Sequence, residues 1–256
     1  MDMPRNNFKH ALAKGEVQIG LWCSLCSPIA TEIVSHSGFD WLLIDTEHSP
    51  NEVPSVVAQL QAAQAGTASC IVRAAWNDMV LIKRILDIGA QTVLLPFVQN
   101  AEEAKRAVAS TRYPPQGVRG ITASGRASRY GRVKDFLRNA GSEICVLIQV
   151  ETRDALARIE EIASVDGIDG VFIGPADLSA SFGQYGNWSS AEVQSAIEDA
   201  ARRLKKIGKP AGILTANEEE AKKFISWGYQ FVAVGADVGL LSKNADALAK
   251  RFKPGA

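Results

Sequence analysis

Eight short apolar runs, each followed by a stretch of helical spacing, recur along the chain, and few architectures accommodate that alternation. The runs cover residues 18–22, 41–44, 69–73, 92–95, 144–150, 170–173, 211–214 and 231–234. Between and after them, over 29–37, 53–65, 79–88, 101–111, 153–162, 190–207, 218–227 and 240–251, apolar residues return at intervals of three and four, the period of a helix. The runs are continuously apolar rather than alternating, as strands covered on both faces are. Glycines stand at the ends of several helical segments, in HSGFDWLLI, DIGAQTVLL and WGYQFVAVG, where a left-handed cap is needed before the next strand. The pattern predicts an α/β fold: eight parallel strands closed into a (β/α)8 TIM barrel, one domain over residues 1–256. An open doubly wound sheet usually has fewer strands and a glycine fingerprint after the first. Here CSLCSP follows the first run, and neither G-x-G-x-x-G nor G-x-x-x-x-G-K-[ST] occurs.

Charge and composition remove several classes of function. Lys plus Arg equals Asp plus Glu at 28 each, so no broad positive field exists to neutralise a phosphate backbone, and no nucleic-acid partner is expected. No stretch approaches the ~18 uninterrupted apolar residues of a membrane span, and MDMPRNNFKHALAKGE lacks the apolar core of a secretion signal. A cytoplasmic protein without a membrane partner is the expectation. Of the four cysteines, Cys70 and Cys145 lie in apolar runs as small hydrophobes. Cys23 and Cys26 form an isolated CxxC with no second pair or histidines at zinc-ligand spacing. One connection is out of scale: residues 112–141 number thirty, against about two to six for an ordinary link. Its part near 117–132 is expected to shape the pocket mouth or a subunit contact.

Barrel chemistry gathers at the carboxyl ends of the strands, where rigidly held loops converge. Asp45, Thr46, Glu47 and His48 follow the second run, Arg73 ends the third, and Gln149, Val150 and Glu151 end the fifth. Gly174, Pro175, Ala176 and Asp177 follow the sixth. Singly, each has a plain reading as a surface residue, an ion-pair partner or a helix-start acid; jointly they mark a site. Glu151 and Asp177 leave adjacent strands about 4.8 Å apart, so their carboxylates can meet on one hard divalent cation, Mg²⁺ or Mn²⁺, with Co²⁺ as a further candidate. Gln149 lies two residues before Glu151 and points to the same side, within reach of water on such an ion. Backbone N–H groups of the 174–177 turn can hold a substrate carboxylate. Arg73 offers a rigid donor fork, and His48 is the well-placed side chain that titrates near neutrality, with Asp45 or Glu47 available to fix its tautomer. Lys83, Lys105 and Lys134 lie in helical segments or the long connection, away from the strand interiors where a Schiff-base lysine would stand.

From GLWCSLCSPIATEI through GFDWLLIDTEHSP, QVET and GPADLSASFG to VGAD, nearly the whole chain resembles the HpcH/HpaI family of class II pyruvate aldolases. The resemblance implies a barrel of the phosphoenolpyruvate/pyruvate type in which Glu151 and Asp177 ligate Mg²⁺ or Mn²⁺. It implies that Arg73 stabilises a pyruvate enolate, that His48 with Asp45 handles a proton through water, and that backbone around 174–177 holds the pyruvate carboxylate. The implied reaction is reversible cleavage of a 4-hydroxy-2-oxo acid into pyruvate and an aldehyde. Leu214 and the 117–132 segment are placed toward the aldehyde. Arg126 and Arg129 are read equally as partners of a second substrate carboxylate or as interface charges. The implied assembly is a homohexamer, a trimer of dimers, with the C-terminal helix exchanged between subunits. The alternatives are a lyase of malyl or citramalyl thioesters, and a barrel that binds a small anion without turnover.

Overall fold

In the computed structural model, which describes residues 1–253, the strands close into one parallel barrel in sequence order. They are β1 (Gln18–Cys23), β2 (Trp41–Asp45), β3 (Ser69–Arg73), β4 (Thr92–Leu95), β5 (Cys145–Val150), β6 (Gly170–Ile173), β7 (Ala211–Leu214) and β8 (Tyr229–Ala236). Helix α1 (Asn7–Ala13) precedes the barrel, and α2 (Pro28–Ser35), α3 (Val53–Ala62), α4 (Met79–Asp87) and α5 (Ala101–Thr111) follow the first four strands. A short α6 (Phe136–Asn139) lies in the long connection before β5. Then come α7 (Arg153–Ala157), α8 (Ile159–Ala163), α9 (Pro175–Ser181), α10 (Ala191–Lys206), α11 (Glu218–Trp227) and α12 (Asp237–Phe252). The helix expected over 153–162 is divided at Arg158 into α7 and α8. Helices α1 and α9 were not expected; each is seven residues, too short to display a helical period.

Consecutive strand residues serve two different cores. Ile71 and Leu94 join Trp22, Trp41, Phe172 and Phe231 inside the barrel, whereas their neighbours Val72 and Val93 pack beneath the helices with Ile82 and Ile85. This is why the runs lack alternation. The interior aromatics meet mainly edge-on or tilted, and Phe8 of α1 closes the lower end, 6.1 Å from Trp41 and 5.8 Å from Phe231 between ring centroids. Space for the large rings comes from glycine. A β-carbon at Gly20 would fall 2.1 Å from the Trp41 ring, and one at Gly212 would fall 2.1 Å from that of Phe231.

The long connection does not shape the mouth of its own barrel. It joins the end of α5 to the start of β5, so it lies at the amino ends of the strands. Arg119 pairs there with Asp87 at 2.7 Å, Arg126 donates to the Ile88 carbonyl at 2.7 Å, and the Met1 ammonium donates to the Arg132 carbonyl at 3.1 Å. A cavity bounded by Arg119, Arg126, Arg129, Gly89, Gln91 and Ile144 opens at this lower end. Helix-to-strand connections are all delivered to that end, whatever their length or composition.

Candidate active site

The register of β2 against β3 places Asp45 opposite Arg73, so both side chains leave the upper rim side by side. Arg73 meets Asp45 through Nε at 2.8 Å and Nη2 at 2.6 Å, a bidentate pair, while Nη1 lies 2.7 Å from Oε2 of Glu47. Trp22, at the upper end of β1, donates its indole N–H to Asp45 at 3.3 Å and lies beneath the guanidinium, whose central carbon is 5.1 Å from the ring centroid. Asp45 and Arg73 are both buried. Burial alone would raise the Asp45 pKa, but Arg73 outweighs it and holds the carboxyl below its ordinary range. Asp45 also shapes the turn after β2. Its Oδ1 accepts the amides of Glu47 and His48, and its carbonyl accepts Asn51 Nδ2 at 2.8 Å.

Across the rim, Gln149 and Glu151 leave β5 on one side, and both are buried. Gln149 donates Nε2 to Oε2 of Glu151, and the Phe97 amide donates to Oε1 at 2.9 Å. Gly174 faces this pair. A β-carbon there would stand 2.4 Å from Glu151 Oε2, so any side chain would displace the carboxylate. Burial first, and then the neighbouring negative charges of Asp177 and Glu47, push the Glu151 carboxyl up to about 7 despite its two donors. Glu47 is likewise raised, burial being the largest cause.

Among the described residues, no three His, Cys, Asp or Glu side chains gather as a ready metal cage. What the rim offers suits a hard cation that keeps water and substrate oxygens around it. The negative charge of Asp177 adds to the upward push on the Glu151 carboxyl. The buried Gln149 Oε1 has no donor, and no N–H is aligned on buried Glu47 Oε2 although Arg73 is near it. These surplus oxygen acceptors and unoffset negative charge fit Mg²⁺ or Mn²⁺.

The other expected residues are placed as follows. Asp177 is exposed in the first turn of α9, behind Gly174 at the N-cap, Pro175 and Ala176. Gly174 supplies no side-chain cap, so the amides of Ala176 and Asp177 lack a local acceptor. Leu214 ends β7, partly buried against the interior cluster. His48 stands on the turn with its side chain 65% exposed, and its Nε2 is 3.9 Å from Glu47 Oε2. Neither Asp45 nor Glu47 hydrogen-bonds its ring; the acid expected to fix its tautomer is engaged by Arg73 instead. Cys23 is buried, with burial pushing its thiol far up, and all four cysteines are free. Two members of the site were not expected: Glu47 as a partner of Arg73, and Trp22. An indole at a strand end carries one polar atom that needs an acceptor, and that was the available signal.

The family model described as HpcH/HpaI aldolase/citrate lyase matches residues 18–244. A pyruvate aldolase from Rhizobium etli is 58% identical over 252 residues, 98% of this chain and 99% of that protein. A 4-hydroxy-2-oxo-heptane-1,7-dioate aldolase from Klebsiella pneumoniae subsp. pneumoniae is 55% identical over 96% of this chain and 94% of its own length. The crystal structure of an HpcH/HpaI aldolase/citrate lyase family protein from Burkholderia cenocepacia superposes with a TM-score of 0.93 at 36% identity, covering 97% of this chain and all of that one. More distantly, a citrate lyase beta subunit from M. tuberculosis, complexed with oxaloacetate and magnesium, shares the fold (TM-score 0.59, 17% identity, 88% of this chain and 93% of that one).

Proposed function

The chain belongs to the HpcH/HpaI aldolase/citrate lyase family, and from that premise we propose that it is a class II aldolase cleaving a 4-hydroxy-2-oxo acid into pyruvate and an aldehyde. The observation that carries this reading is the composition of the upper rim. A buried carboxylate with unoffset charge, Glu151, stands across from a rigid, buried guanidinium, Arg73.

Cleavage breaks the bond between C3 and C4. The 4-hydroxyl loses its proton as its oxygen becomes the aldehyde carbonyl, the C3–C4 electron pair passes into an enolate, and a proton later added at C3 gives pyruvate. A divalent cation held by Glu151 and Asp177 would supply positive charge where the enolate develops. Arg73, fixed by Asp45 and Trp22, directs N–H groups at the developing charge without reorganising. The amides of Ala176 and Asp177 receive the substrate carboxylate. Exposed His48 takes the hydroxyl proton, directly or through water, and Leu214 borders the aldehyde portion.

We also propose a homohexamer, a trimer of dimers, in which α12 packs against another copy. Supporting this, Leu240, Leu241, Leu248 and Phe252 of α12 are all exposed, as are Ile29 and Ile33 of α2. Among the described residues no helix is long and apolar enough to cross a membrane. The test of the activity is aldehyde release from a 4-hydroxy-2-oxo acid after chelation and after adding Mg²⁺, Mn²⁺ or Co²⁺. Chelation should abolish cleavage and the ions should restore it; full turnover by the chelated protein would sink the reading.

A further inference from the structure

Phe97 follows β4 and adopts φ of +56°, a left-handed backbone that a bulky aromatic residue rarely takes. Nothing in its own chemistry favours this. Asn and Asp reach the region through local hydrogen bonds, and glycine reaches it freely, but Phe has neither route. Strain of this kind persists where the surroundings over-determine it, and at Phe97 the surroundings can be named. On one side, the Phe97 ring stacks on Trp76 of the loop after β3, at 5.7 Å between centroids and 28° between planes. On the other, the following residues are tied to β5 and its loop. Val98 donates to the Gln149 carbonyl at 3.1 Å, and Thr152 donates to Oε1 of Gln99 at 2.6 Å. Between these ties the Phe97 amide is directed at Oε1 of Glu151, 2.9 Å away.

Both rings are substantially exposed, Trp76 at 53% and Phe97 at 41%, so their stack contributes little to the core. Its place in the molecule is otherwise unexplained. We propose that the Trp76–Phe97 stack is a positioning device: it holds Phe97 left-handed, and that conformation aims its N–H at Glu151, fixing the carboxylate for cation binding. The Phe97 amide and the Gln149 amide then hold one oxygen each, so the plane of the carboxylate is set from two elements. The device rests on the reading of Glu151 as a cation ligand, and it makes Trp76 and Phe97 positioning residues that need touch neither cation nor substrate.

Three variants test it by titration with Mn²⁺ alone, free ion being followed by electron paramagnetic resonance and folding by thermal melting. Trp76→Ala and Phe97→Ala should weaken Mn²⁺ binding about three- to tenfold, with little change in melting because both side chains are at the surface. Phe97→Gly keeps the N–H and enters the left-handed region without strain, so it should bind Mn²⁺ more tightly than Phe97→Ala. Adding Trp76→Ala to Phe97→Gly should then cost nothing further. Wild-type affinity in both alanine variants would overturn the device while leaving the cation reading intact. Equal weakening in Phe97→Gly and Phe97→Ala would overturn it too, by tracing the effect to the ring rather than the backbone. Failure of the unaltered protein to bind Mn²⁺ would remove the cation reading and the device together.

Discussion

Asp45 and Glu151 are both buried carboxylates at the barrel rim, yet their surroundings push them in opposite directions. Asp45, between β2 and β3, is held low by a bidentate guanidinium and an indole N–H. Glu151, beyond β5, receives two amide donors but no basic side chain, and it is pushed up to about 7. One side of the mouth is an ion pair completed within the chain; the other holds negative charge that the chain leaves unmatched. A side fixed in advance can stabilise charge that appears only during reaction, whereas surplus negative charge is the feature that the proposed cation would offset. The two sides meet at Glu47, which lies against Arg73 and also raises Glu151.

Breaking the completed side should have the largest effect. Arg73→Lys retains a charge but cannot engage both Asp45 oxygens and Glu47 together, and kcat for cleavage should fall ~10²-fold with a smaller change in KM. Proton exchange at the pyruvate methyl group, which needs the enolate but no aldehyde, should fall in parallel. Normal exchange with impaired cleavage would place Arg73 at the aldehyde instead. Mn²⁺ binding should change little, and a large loss would mean that the two sides are not separable.

A milder break is Trp22→Phe, which preserves a ring beneath the guanidinium while deleting the N–H to Asp45. One hydrogen bond to a charged acceptor corresponds to a decrease of about tenfold in kcat. If rate and exchange are unchanged, the indole serves the barrel interior alone.

The smallest effect sharpens the contrast through pH. If Glu151 holds the cation as proposed, it must be ionised, and with its pKa about 7 the ionised fraction, hence Mn²⁺ affinity, should fall about twofold from pH 8 to pH 7 and nearly tenfold per unit well below. Stability of the cation-free protein should run the other way. A carboxyl raised in the folded state contributes stability below its unfolded value near 4.5, and that contribution is lost as pH rises through about 7. Glu151→Gln should flatten this slope in thermal melting between those limits. An unchanged slope would locate the titration at another group.

The barrel and the identity of its rim were legible in the sequence because both depend on local order. Hydrophobic period separates strand from helix, and parallel closure brings every strand's carboxyl end to one rim, so Asp45, His48, Arg73, Gln149, Glu151 and Asp177 were bound to stand at that rim. The order of elements also determined that the long connection lies at the lower end, although its length and composition suggested the mouth. Pairing within the rim was another matter. Whether Asp45 serves His48, three residues away, or Arg73, twenty-eight away, depends on the β2–β3 register and on which donors approach in space. In the sequence Gly174 is one residue of the 174–177 turn, whereas in the barrel it is required because a β-carbon would crowd the Glu151 carboxylate. Phe97 carries no sequence mark of a left-handed backbone; the Trp76 ring and the ties to β5 surround it only once the barrel has closed. Sequence determined which groups stand at the rim, since that follows from periodicity and strand direction. Tertiary structure decided which charges are matched and which remain open, since Coulombic and hydrogen-bond energies depend on distances that only the closed barrel sets.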